Sequence, residues 1–333
     1  MPLDLLRQVS RTFSLSLAVL PKSLRAPIGL AYLFARAADT IADTRLVNGR
    51  GRLDLLEALR RALAASGPVP AINGLAAAQA TLGERRLLER IAECFEALDR
   101  LAPDDAARVR GVLATITEGM IFDLTRFPDE DASALQALET LEELDRYTYL
   151  VAGCVGEFWT EMHVAHRLRL ARWDLPVMKA RGVRFGKALQ MTNVLRDLPR
   201  DLRIGRCYLP RRDLAALGLA PADLLDARSA DRVRPLIERL LRATLDHYEV
   251  AWQYALEIPR AEIRMRLACA WPLLIGLGTL ELLAGSREPL APEKRIKLSR
   301  AAVRGILARS AVTVWSNRTL AADATRLRRR IAV

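Results

Sequence analysis

The chain has 333 residues, of which 51% are hydrophobic, 27% charged and 5% aromatic, and its formal net charge is +12. This is globular composition with length for a sizeable core, and the scarcity of β-branched and aromatic residues argues against a β fold, so an all-α protein is expected. The positive charge is nearly all arginine, with only five lysines; it is either a solvated face or an attraction for an anionic partner, and nucleic acid is the weakest such partner because no recognition motif or basic–aromatic interleaving is present.

In chain order, residues 3 to 20 predict a first helix. The opening MPLDLLRQVS carries an acid and too short an apolar run for a signal peptide. Pro21 and Pro27 punctuate the entry to a helix at 28 to 43, and "VNGRGR" reads as a loop. A helix at 53 to 65 ends in the turn cluster "SGPVPAING". Helices follow at 84 to 101 and, after the start signal "APDD", at 104 to 126. "FPDEDA" is a loop, and further helices are predicted at 139 to 170, 176 to 198, 221 to 227, 231 to 257, 260 to 285 and 292 to 331. The apolar run at 270 to 285 is too short to span a bilayer and contains Glu281. Cys94, Cys154, Cys207 and Cys269 stand alone, which suits a reducing cytoplasm and neither a disulfide framework nor a zinc site. No long linker or repeat divides the chain, so one α-helical domain over 1–333 is the economical reading, soluble in the cytoplasm or peripheral at the inner face of the membrane.

Two stretches carry chemistry. In "YLFARAADTIADT" a helix advances about 100° per residue, so relative to Tyr32 the side chains of Arg36, Asp39 and Asp43 lie at about 40°, −20° and 20°. Like charges at i, i+4 destabilise a helix by a few tenths of a kcal/mol, more if desolvated. Arg36 can neutralise one acid; a divalent cation could neutralise both, and Mg2+ favours carboxylate oxygens together with water and phosphate. A polar face with an internal Arg–Asp pair remains the alternative. In "ALQMTNVLRDLPRDLRIGRCYLP", Asn193, Asp197 and Asp201 lie at about −60°, −20° and 20° from Gln190, and Pro199 predicts a kink or restart. Two acid pairs on two apolar helices make a metal constellation where the helices face each other, as in helical bundles.

With these motifs the chain resembles the squalene/phytoene synthase family of head-to-head prenyl synthases over roughly residues 8 to 285. "SRTFSLSLAVLPKSLR" resembles the family's N-terminal Ser-rich segment, "YLFARAADTIAD" its first aspartate-rich motif, "EGMIFDL" and "YTYLVAGCVGEFW" its central helices, and "LQMTNVLRDLPRDLRIGRCYLP" its second aspartate-rich motif. One departure is Arg200, where the family often has Glu. The resemblance implies the isoprenoid synthase-type helical bundle around a central apolar cavity. It further implies that Asp39, Asp43, Asp197 and Asp201 hold Mg2+, or Mn2+ in its place, that Ser10, Gln190, Asn193 and Arg196 bind substrate, and that Tyr32, Arg36, Tyr147 and Tyr208 take part in catalysis. The implied reaction joins two prenyl diphosphates: an allylic cation forms in a dry pocket, the second substrate's double bond attacks it, and proton loss closes a cyclopropyl diphosphate. In squalene synthases NADPH then quenches a second ionisation.

Two farnesyl diphosphates giving squalene is the leading reading. Phytoene or dehydrosqualene synthesis, or only one half-reaction, is the alternative within the class. A non-catalytic helical paralogue acting as a membrane-surface or assembly factor is the alternative outside it, and gives no reason for four aspartates on two apolar stripes. "EKRIKLSR" at 293 to 300 is a solvated face, or its Lys294, Arg295 and Lys297 touch NADPH or phosphate. His163 and His166 in "HVAH" read as core or surface histidines, "GLGTLE" as helix packing, and the terminal "RLRRR" as a solvated or membrane-surface tail.

Overall fold

The structure is a computed structural model that describes residues 3–9, 17, 19–44, 49–65, 67–77, 79, 81–128, 131–291 and 296–331. It is helical throughout, apart from short turns and one two-residue parallel bridge. The contacts group into two compact units, residues 1–125 with 157–179, and residues 126–156 with 180–333.

The first unit contains α1 (Leu3–Val9), α2 (Lys22–Asp43), α3 (Gly49–Leu63), α4 (Asn73–Ala76), α5 (Leu82–Glu89), α6 (Ile91–Asp99) and most of α7 (Pro103–Arg126). Of the helix predicted over 3 to 20, Leu3–Val9 is helical, and residues 10–16 and 18 lie outside the described ones. Helix α2 starts directly after Pro21, six residues earlier than expected: Pro27 sits inside its second turn, where it removes a single backbone donor. Its buried side includes Leu24, Leu33, Phe34, Ala37, Ala38 and Ile41, and Phe34 meets Phe95 of α6 edge-on at 4.8 Å. The expected loop "VNGRGR" is helix from Gly49 on, because buried Arg52 reaches back to donate to the Ala42 carbonyl at 2.8 Å and so satisfies the open end of α2. The helix predicted over 84 to 101 breaks at Arg90, whose guanidinium is held by Glu93 and Asp4. Pro103 opens α7 with Asp104 and Asp105 in its first turn, as the capping signal implies.

The second unit begins with β1 (Gln136–Ala137) and α8 (Leu141–Thr148), which Thr140 caps. A π-helical turn over Tyr149–Gly153 and then α9 (Cys154–His166) replace the long helix predicted over 139 to 170. Helix α10 (Leu175–Arg203) runs through Pro199 without restarting there, and Arg203 donates to the Pro199 carbonyl at 2.6 Å. α9 and α10 each carry residues of both units. After β2 (Arg206–Cys207) and the short α11 (Arg211–Ala216), two 3-10 turns take the place of the helix predicted at 221 to 227. Helices α12 (Ala230–Glu257) and α13 (Ile263–Ala284) form the apolar centre of this unit. α13 is long and apolar enough to cross a membrane by composition, yet it is mostly buried in the protein and is a core helix. The helix predicted over 292 to 331 is a hairpin of α14 (Arg300–Thr313) and α15 (Asn317–Arg330), each started by a serine cap, Ser299 and Ser316.

Glycine permits the close crossing of α9 on α10. A Cβ on Gly156 would lie 1.8 Å from the Gly182 carbonyl oxygen, and one on Gly186 2.1 Å from that of Ala152. The crossing seats the end of α8 against the middle of α10.

Candidate active site

In the first unit, α2 carries Tyr32, Arg36, Asp39 and Asp43. Tyr32 donates to the Val9 carbonyl of α1 at 3.3 Å. The half-buried Arg36 guanidinium bridges two acids, one nitrogen to Asp39 and the other to Glu84 of α5. Burial opposes its charge, but Asp39 and Glu84 outweigh that and hold Arg36 above its ordinary range. Glu84 has no periodic or motif signal in the sequence; it is found only once α5 packs beside α2. Asp43, one turn further along, is exposed.

In the second unit, α10 carries Gln190, Asn193, Arg196, Asp197 and Asp201. Tyr147, near the end of α8, stacks on Tyr208 with ring centroids 4.8 Å apart and planes 22° from parallel. Both phenols are buried. The Tyr147 hydroxyl donates to that of Tyr208 at 3.3 Å, Gln190 donates to Tyr147 at 3.5 Å, and Asn193 donates to the Gln190 carbonyl oxygen at 3.3 Å. These four side chains make one polar chain. Tyr208 is brought back to it by a turn at Gly205, whose φ of 80° is open to glycine at little cost, followed by the parallel bridge between β1 and β2. Phe127 packs edge-on against the far side of Tyr208 at 5.2 Å.

Asp197 is engaged by its neighbour Arg196, whose Nε donates to Oδ1 at 2.9 Å while Nη2 reaches Oδ2. That bond holds Arg196 above its ordinary range in spite of burial. Arg200, the departure from the second aspartate-rich motif, is exposed. One turn before Gln190, Lys187 is buried and donates to Asp145 at 2.6 Å, and Thr192 shares a 3.0 Å hydrogen bond with the fully buried Tyr248. A Cβ at Gly276 would collide with the Tyr248 hydroxyl at 1.8 Å, so this part of "GLGTLE" is helix packing, as expected.

Ser10, Lys294 and Arg295 lie outside the described residues. Lys297 is exposed in the segment that enters α14. His163 is fully buried with its ring tilted against Trp159 at 4.4 Å, and His166 Nε2 donates to the Asp105 carboxylate at 2.9 Å, so both are structural, as expected. The four cysteines are free and buried, and burial pushes the thiols of Cys94 and Cys207 up to about 12, leaving neither as a nucleophile.

Among the described residues no group of three or more His, Cys, Asp or Glu is placed to hold a metal. What α2 and α10 offer is hard carboxylate oxygens in twos, each pair beside a guanidinium. That donor set fits Mg2+, which is commonly bound by one or two carboxylates and completes its shell with water and substrate phosphate. It does not fit a preformed all-protein cage.

Residues 6–302 match the family described as squalene/phytoene synthase. A squalene synthase of Eremothecium gossypii is 26% identical over 88% of this chain, which spans 64% of that protein's length, less than two thirds. A phytoene synthase of Arthrospira platensis is 28% identical over 73% of this chain and 71% of its own. The solved complex of TcSQS with the ligand E5700 superposes with a TM-score of 0.77 over 99% of this chain and 91% of that one, at 23% identity, which establishes the isoprenoid synthase type of helical fold.

Proposed function

Because this chain belongs to the squalene/phytoene synthase family, we propose that it is a prenyltransferase joining two prenyl diphosphates head to head, most simply two farnesyl diphosphates to squalene by way of presqualene diphosphate. The observation that carries the proposal is α10: it sets Gln190, Asn193, Asp197 and Asp201 on one helix, with Gln190 hydrogen-bonded to Tyr147 of the stacked tyrosine pair and Asn193 to Gln190.

In this reading Asp39, Asp43, Asp197 and Asp201 hold Mg2+ together with substrate diphosphate. When bound, the metal supplies Lewis-acid stabilisation of the departing diphosphate's charge. Arg36 and Arg196 keep the acids ordered before substrate arrives, and both stay cationic; once phosphate enters, their guanidiniums can turn to its oxygens as charge-assisted donors. The stacked pair of Tyr147 and Tyr208 can lend π-electron density to a developing allylic cation beside it. Gln190, itself held by Asn193, fixes the orientation of the Tyr147 hydroxyl, and the proton that the cyclopropane closure releases passes to an oxygen of the departed diphosphate, the base that the reaction itself supplies. The apolar flanks of both helices exclude the water that would otherwise capture the cation.

No step is assigned to a nicotinamide, whose use by this chain rests on resemblance alone. The deciding experiment incubates purified protein with farnesyl or geranylgeranyl diphosphate and Mg2+, with and without NADPH, and identifies products by mass. Squalene formed from farnesyl diphosphate only when NADPH is present is the expected result. The same products in both conditions remove the squalene assignment and leave the prenyl transfer; a phytoene-sized product from the longer diphosphate moves the reading to phytoene synthesis.

A further inference from the structure

We propose that the α14–α15 hairpin is a docking face for an anionic lipid surface. Its inner side is built into the second unit. Trp271 of α13 donates to Ser310 at 2.8 Å, and the fully buried Arg266 donates to the Val314 carbonyl at 2.8 Å and to Asn317 at 2.8 Å, tying down the turn between the two helices. The outer side is therefore held in place.

That outer side is not the polar face a solvated helix normally shows. Relative to Ala301, the side chains of Ala308 and Val312 lie at about −20° and 20° on the α14 wheel, with Arg304 and Arg309 flanking them at about −60° and 80°. All five are exposed, and a Cβ at Gly305 on the same stripe would meet open space. At the end of the stripe Val312 is 78% exposed and Trp315, just past the helix, 59%. These are two of the most exposed large apolar side chains among the described residues. An exposed Trp beside an aliphatic side chain, flanked by arginines, is the composition of a helix that lies in the lipid headgroup region.

Charge selects the occupant. From Ile296 to Ile331 there are nine Lys and Arg and one acid, Asp323. That acid is itself buried and shared by Arg309 and Arg326 at 3.7 Å each. A second copy of the chain docking by the same face would set this basic segment against itself, which costs energy, whereas anionic headgroups neutralise it.

The test is co-sedimentation of the full chain with vesicles of phosphatidylglycerol mixed with phosphatidylcholine, and with pure phosphatidylcholine. Binding to the mixed vesicles that weakens with salt, with little binding to the neutral ones, is expected. Arg304→Gln should lower binding about fivefold, and Trp315→Ser with Val312→Ser should lower it further, with helicity and melting temperature kept. Where the double variant fails to fold, Trp315→Phe decides: lipids with brominated tails should quench the wild-type emission, and the Phe variant should bind while losing most of that quenching. The proposal is overturned by absence of binding to the mixed vesicles, by equal binding to neutral ones, by quenching unchanged in Trp315→Phe, or by a concentration-dependent dimer that Trp315→Ser disperses without any vesicle binding.

Discussion

At the scale of single residues the question is whether the acids serve chemistry or architecture. Asp39 is bound by Arg36, and Asp197 by Arg196. Both carboxylates are about a third or more exposed, with side-chain accessibilities of 42% and 34%, so each pair contributes at most about 1 kcal/mol to stability. Arg36 also keeps Glu84 when Asp39 is lost. Asp39→Asn and Asp197→Asn are therefore expected to melt within a few degrees of the parent and to lose about 10²–10³ in turnover, the usual loss when one electrostatic contributor is removed from a reacting centre. Turnover and melting measured on the same preparations check this; activity lost only in proportion to unfolding would make the pairs structural. His247 gives a pH dependence of a different kind. Burial, then Arg184 and Lys187, pull its pKa down from 6.5 to about 4, against the smaller pull of Asp145 and Asp246. The folded state thus keeps His247 neutral at pH values where the unfolded chain protonates it. Its contribution to stability is complete above the unfolded value and is lost as pH falls from about 6.5 toward about 4, by about 2 kcal/mol after allowance for solvent screening. Melting temperature against pH should be flatter in that window for His247→Gln than for the parent.

At the scale of elements, the crossing of α9 on α10 is the feature most sensitive to a single methyl group. Gly156→Ala places a carbon 1.8 Å from the Gly182 carbonyl oxygen. The obstacle is backbone, which cannot rotate away, so the helices must separate, at a cost of about 1–3 kcal/mol or more. Separation moves the end of α8 from α10 and lengthens the Gln190–Tyr147 hydrogen bond. A lowered melting temperature with turnover falling further than the folded fraction accounts for is expected, and Gly111→Ala, where a Cβ meets nothing within 4 Å and the helix gains about 0.5–1 kcal/mol, is the control that should melt no lower than the parent and keep turnover. Most helices were legible from the 3.6-residue period of their apolar positions. Their interruptions were less so, for reasons that lie in tertiary partners. The start of α3 depends on Arg52 closing the end of α2, and the break at Arg90 on two acids that hold its guanidinium. The π-helical turn at Tyr149–Gly153 and the bridge of β1 to β2 leave no periodic trace at all. In the candidate site the aspartates, Gln190 and Asn193 were legible because they interrupt apolar stripes at helical spacing. Glu84, Lys187 and Thr192 were not, since each acquires its meaning from a residue far away in sequence.

At the scale of the whole molecule the net charge of +12 and the four aspartates pose one problem. A strongly basic protein attracts diphosphates without help from a metal, so the requirement for a divalent cation has to be tested apart from affinity for the anion. If the acid pairs act through Mg2+, then Mg2+ and inorganic pyrophosphate stabilise the fold together more than the two do separately, because each supplies ligands to the other. At a hundredfold excess over the dissociation constant a ligand adds about 2.7 kcal/mol, a shift of several degrees in melting temperature. Pyrophosphate alone, held only by arginines, should give a smaller shift that fades with salt. Asp39→Asn and Asp197→Asn should each remove the joint effect and keep the pyrophosphate one. Turnover should vanish on thorough chelation and return with Mg2+. A joint shift equal to the sum of the separate ones, with turnover untouched by chelation, would leave Arg36 and Arg196 as the anion site and take the metal out of the proposed chemistry. The readout by melting needs no substrate conversion, so it also distinguishes a chain that binds diphosphate through metal without turning it over from one that never engages the metal.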